Sequence, residues 1–142
     1  MFREHLRDQM FDLGLTLLEF GKALEVRCNS LIRTALVGAP GAVRYLNVDG
    51  QSRDVTTQHL GLHELARYLT DREVTSHLCK RIKDGGGFLT VELPRVLDQF
   101  AEIRNQVAHK ELVERDTVIE WRSRLCGVGC DRVLVRLARV GL

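Results

Sequence analysis

Proline is nearly absent from this sequence, with two residues in 142, at positions 40 and 94. Proline breaks helices because it has no N–H and its ring strikes the preceding turn, so this chain can run long helices with few enforced stops. Aromatic residues are sparse at 6%, with a single tryptophan, and the core must rest on aliphatic side chains. The four cysteines stand at irregular spacing, which argues against a disulfide framework and fits reduced thiols in a cytoplasm. No apolar run approaches the roughly 20 residues of a membrane-spanning helix. The opening MFREHLRDQM is polar and of mixed charge, unlike a secretory signal, and none is expected. Charge of one sign is lacking as well: the formal net charge is +2, too small to announce a nucleic-acid or membrane partner except through a local patch.

What is present is ordinary for a folded soluble protein, 44% hydrophobic and 28% charged. A chain of 142 residues can bury a core without disulfides or metal. The expectation is a single domain over residues 1–142, standing alone or as one domain of a larger protein.

Periodicity makes that domain helical. From Phe2 to about Val37, Leu6, Met10, Leu13, Leu17, Phe20, Leu24 and Leu31 recur in steps of three and four, the seam of a long helix packed along another. Arg27 interrupts the seam and argues against a long coiled coil. Gly14 and Gly21 each weaken a helix by about 1 kcal/mol relative to alanine, a cost that close approach of a partner helix would offset. GAPGA (38–42) ends the helix. Two short runs around Asp49-Gly50 form a candidate β-hairpin within residues 43–55, since Asp-Gly favours a two-residue turn, although the second arm is weakly apolar and a mobile excursion is the alternative. Residues 57–70 and 72–83 read as two helices, with Asp71 capping the second. DGGG (84–87) stops that helix and FLTV suggests a brief strand. Pro94 suits the first turn of a helix running to about Lys110. A further helix follows Asp116 as N-cap, and DRVLVRLARV makes a last one. There is no internal repeat and no low-complexity segment.

The helix beginning near Pro94 carries the stretch RNQVAH, residues 104–109. At about 100° per residue, Leu93, Val96, Leu97, Phe100, Ile103 and Val107 gather on one face. Asn105 and His109 lie one turn apart on the opposite side, beside Asp98 and Glu102, and Arg104 falls at the edge of the apolar stripe. Arginine supplies a fixed charge and a planar donor fork suited to phosphate, and histidine exchanges protons near neutral pH. Together they can activate a ribose hydroxyl and stabilise charge on an attacked phosphate without a metal. The bland alternative is a solvated polar face.

Arg104-Asn105-Gln106-Val107-Ala108-His109 resembles the motif of the HEPN superfamily of helical domains, an arginine and a histidine with four to six residues between them on a long helix. The polar residue directly after the arginine is common in its ribonuclease members. The resemblance covers residues 93–140. It implies an all-α, HEPN-like bundle that forms a homodimer, with the motif helices of two protomers facing across a cleft. Their arginines and histidines would then make one composite, metal-independent endoribonuclease site needing no cofactor. It further implies His109 as general acid/base, Arg104 as the phosphate-stabilising cation and Asn105 as an orienting hydrogen-bonder. The setting would be a prokaryotic defence, toxin or stress system, with an antitoxin or an associated sensor domain as possible partners. Some HEPN toxins carry a modifiable tyrosine two residues after the histidine. Glu111 stands there in this chain, which speaks against control by adenylylation. A non-catalytic HEPN-type dimerisation or nucleotide- or partner-binding module is the alternative, and a helical interaction domain with a coincidental motif is a third.

Other constellations have plainer readings. His59 and His63, one helical turn apart, and His77 and Cys79 match no zinc spacing and read as surface groups. Cys126 and Cys130 lack the compact C-x-x-C geometry of a redox pair. The triple glycine 85–87 lacks the lysine of a phosphate loop. Trp121, spaced with Val118 and Leu125, reads as core. Lys110 and Arg115 are candidate substrate-binding cations, with Arg122 and Arg124 nearby. Glu111, Glu114 and Glu120 interleave with them, so a mixed solvated face is the simpler reading.

Overall fold

A computed structural model describes residues 2–108, 115–126 and 133–140. Among them are six α-helices and one two-stranded sheet. Helix α1 (Phe2–Ala35) is the spine, and α4 (Leu93–Ala108) packs against both α1 and α2 (Leu62–Leu69). Helix α3 (Arg72–Arg81) follows α2, and α5 (Arg115–Cys126) lies on α1 and on α6 (Val133–Ala138). No helix among the described residues is long and apolar enough to cross a membrane.

The core is the aliphatic one that the scarcity of aromatics demands. Leu17, Leu24, Leu65, Leu69, Leu78, Leu93, Leu97 and Leu125 are fully enclosed, and burying each such side chain contributes about 1.5–3 kcal/mol. On α4, Leu93, Leu97 and Phe100 face inward as the stripe requires, with Val96 and Ile103 partly covered. Trp121 is buried edge-on to Phe100, with ring centroids 5.2 Å apart. The expected α1 seam holds at Leu17, Leu24 and Leu31 and is widened by Cys28, Ile32 and Ala35. The side chains of Leu6, Met10, Leu13 and Val107 lie outside the described residues.

The hairpin is present, with β1 (Tyr45–Val48) paired antiparallel to β2 (Gln51–Asp54). Asp49 and Gly50 both have positive φ, 50° and 78°, as the primed two-residue turn requires. Asp71 caps α3 by accepting from the backbone N–H groups of Glu73 and Val74.

Four local expectations are corrected. The helix expected over 57–70 starts only at Leu62. Asp54 captures the intervening residues: its carboxylate accepts from Thr56 N–H at 2.9 Å and Thr56 Oγ1 at 2.5 Å, and its carbonyl accepts from Gln58 N–H at 2.9 Å. His59 therefore precedes the helix that carries His63. FLTV is not a strand but part of a π-helical turn, Phe88–Glu92, running directly into α4. Pro94 has no N–H to offer the preceding turn, and the backbone there widens to a Leu93 N–H bond with Phe88 O. Asp116 lies inside the first turn of α5 rather than ahead of it, where its charge still favours the helix dipole.

Candidate functional site

Arg104 and Asn105 sit on α4 where that helix crosses α1 and meets the start of α2. Gly21 makes the crossing close. A Cβ at residue 21 would stand 2.9 Å from Arg104 Cδ and 3.0 Å from Phe100 Cε1, so only glycine lets the arginine stem lie across α1. One turn further along the same face, Glu25 receives the Arg104 guanidinium in an ion pair through Oε1. Its carboxylate is largely enclosed, at 12% exposure, while Arg104 keeps 33% of its side chain in solvent. Charges partly withdrawn from water are screened less than a pair on the open surface.

The other oxygen of Glu25 has a partner as well. His59 Nε2 lies 3.2 Å from Oε2, with half of the imidazole exposed. Asn29, one further turn along α1, secures this arrangement. Its buried side chain accepts from Leu60 N–H at 2.9 Å and donates to Leu60 O at 2.9 Å and to Glu25 O at 2.7 Å. Gly21, Glu25 and Asn29 thus form one face of α1, with a place for the Arg104 stem, a carboxylate for two cations, and a backbone clamp for the segment carrying His59.

Beside Arg104 opens a cleft of about 160 Å³ lined by Gly61, Leu62, His63, Glu64, Ala101, Arg104 and Asn105. Small-molecule pockets usually enclose roughly 300–1,000 Å³, so this cleft is smaller than most of them. His63 forms its upper wall, with Nδ1 3.0 Å from Asp98 Oδ1 and Nε2 3.5 Å from Glu102 Oε1. Its two nitrogens meet different carboxylates. Among the described residues no group of three or more His, Cys, Asp or Glu side chains is arranged to hold a metal ion.

Asn105 is exposed on the side of α4 away from the core, with Asp98 and Glu102, as its helical position requires. That side is partly roofed by α2 rather than fully open. Arg115 is exposed at the start of α5. Arg124 lies over the Trp121 ring, 4.1 Å from its centroid, and donates to Gln99 at 3.0 Å. His109, Lys110, Glu111, Glu114 and Cys130 lie outside the described residues, as does the side chain of Cys126.

No protein-family model, curated protein or solved structure matches this chain.

Sequence reasoning missed Glu25, Asn29 and His59 as site residues. Glu25 and Asn29 stand one turn apart beside the apolar seam, and a polar stripe at that spacing is the signal that points to them. His63 and His59 also prove to be tied to carboxylates on other helices rather than simply solvated.

Proposed function

We propose that this protein is a HEPN-type, metal-independent endoribonuclease acting through Arg104, Asn105 and His109. The observation that carries the reading is the pre-aimed Arg104: its stem crosses Gly21, its guanidinium is anchored by Glu25, and it borders a cleft together with Asn105. A cation fixed before substrate arrives costs no reorganisation when charge develops on a phosphate, which is how electrostatic catalysis gains most of its effect.

In this reading the ribose 2′-hydroxyl attacks the adjacent phosphate. Arg104 binds a non-bridging oxygen through its planar fork, Asn105 orients the phosphate, and His109 transfers a proton. A homodimer would bring two such sets together by isologous pairing of the motif helices. RNA is the substrate, Lys110 and Arg115 are candidate backbone contacts, and a toxin, antiviral defence or stress role in a prokaryotic cytoplasm is the setting. An antitoxin or sensor domain would control it. The alternative module without catalysis draws support from the same Arg104–Glu25 pair, because a neutralised arginine also serves as a strut between helices.

RNA cleavage in EDTA by wild type, His109→Ala and Arg104→Lys separates the two. The ribonuclease reading requires wild type to cut RNA but not DNA of the same sequence. His109→Ala should be inert, and Arg104→Lys severely impaired because a point charge cannot replace the fork. Cleavage by His109→Ala at the wild-type rate, or a requirement for a divalent metal, leaves the module reading. Sedimentation that finds only monomer at tens of micromolar (about the range of ordinary dimer affinities) rules out the composite site.

A further inference from the structure

Glu25 holds Arg104 on one carboxylate oxygen and His59 on the other, and this shared carboxylate has a chemical consequence. An ionised carboxylate can only accept, so in the neutral imidazole the His59 proton sits on Nε2 and the lone pair on Nδ1. A carboxylate that fixes the tautomer and orientation of an imidazole is the arrangement by which histidine becomes a general base. Half of the imidazole is exposed to solvent. The backbone carrying it is held by the buried Asn29 clamp on Leu60 rather than left loose.

We propose that His59 is the general base of this site and that Glu25 is the positioning residue aligning it with Arg104. The proposal rests on the ribonuclease reading. In the step it describes, the ribose 2′-oxygen forms its bond to phosphorus while its proton moves to Nδ1 of His59. The bond between phosphorus and the 5′-oxygen breaks, the electron pair stays on that oxygen, and the oxygen takes up a proton from solvent. The products are a 2′,3′-cyclic phosphate and a 5′-hydroxyl. Arg104, tied to the same carboxylate, binds the phosphate beside the base.

The test uses the full chain and a mixed-sequence single-stranded RNA, with EDTA present. His59→Ala is expected to lose about 100-fold or more in kcat, the usual contribution of a general base, with KM little changed. Added imidazole should restore a measurable part of that loss, because the vacated position is open to solvent. Glu25→Gln, which keeps the shape and removes the charge, should also lower kcat and should not respond to imidazole. If His109→Ala is inert while His59→Ala cuts like wild type, His59 is not the base and the ribonuclease reading stands without it. A loss in His59→Ala that imidazole does not relieve makes His59 structural and overturns the proposal. If wild type cuts no RNA at all, the ribonuclease reading falls and this proposal falls with it.

Discussion

Replacing Gly21 with alanine tests the helix crossing on which the whole site depends. In an exposed helix this substitution stabilises by about 1 kcal/mol, because alanine is the better helix former. Here the added methyl would stand 2.9 Å from Arg104 Cδ and 3.0 Å from Phe100 Cε1. Phe100 is fully enclosed and has nowhere to go, so α1 and α4 must part or Arg104 must leave its position. Overpacking a tight contact costs about 1–3 kcal/mol. The balance is a net destabilisation of roughly 0–2 kcal/mol, a fall in Tm of a few degrees for a chain of this size. The assay is urea unfolding by circular dichroism, with the m value compared to confirm the same transition. Because the methyl displaces the arginine directly, RNA cleavage should fall by more than stability does. Stabilisation by the full 1 kcal/mol expected of an open helix would mean that α4 does not approach α1 at Gly21, and the placement of Arg104 would fail with it.

Other perturbations reach separate parts of the argument. Asn29→Ala should cost about 2–4 kcal/mol, since it strands a buried N–H and C=O of Leu60; a loss under about 1 kcal/mol in the same unfolding assay would show that the clamp is not buried. Burial pushes the Cys28 thiol up to about 12, against a small opposing pull from Arg27, so maleimide should leave Cys28 unmodified at pH 8 while labelling exposed Cys79, and peptide mapping checks this. The hydrogen bond from the Thr56 hydroxyl holds the Asp54 carboxyl below its usual range, helped by Thr56 N–H and Arg44. A depressed acid stabilises the fold above its unfolded pKa and loses that contribution as pH falls through the folded one. Protection factors of the Asp54–Gln58 amides, taken relative to the intrinsic exchange rate at each pH, should therefore fall in acid, and Asp54→Asn should remove that dependence.

Much of the helical scaffold was legible in the sequence because its signals are local. Asp71 announces a cap, Asp49-Gly50 announces a primed turn, and Leu93, Leu97 and Phe100 mark the inward face of α4 at helical spacing. The misreadings come where a local preference meets a competing partner. FLTV has strand-forming residues, yet it is drawn into the helix that Pro94 follows, at the cost of a widened turn. Residues 57–61 carry no helix breaker until Gly61, and what stops a helix there is the Asp54 carboxylate and the pull of Asn29 on Leu60. The position of Arg104 at the edge of the apolar stripe followed from periodicity alone. Its anchoring by Glu25 did not, because the partners are 79 residues apart and meet only through the angle at which α4 crosses α1. Gly21 was the trace of that crossing in the sequence, read as a place for a partner helix but not for an arginine.

The central claim is that RNA is cut by its own 2′-hydroxyl at a site built on Arg104 without a metal. The most direct measurement is the mass of the fragments released in EDTA from an RNA strand and from the same strand with deoxyribose at the cleaved position. The account predicts an upstream fragment ending in a 2′,3′-cyclic phosphate, a downstream fragment beginning with a 5′-hydroxyl, and no cleavage of the deoxy-substituted strand. Fragments ending in a 3′-hydroxyl beside a 5′-phosphate, or equal cleavage of both strands, would contradict it.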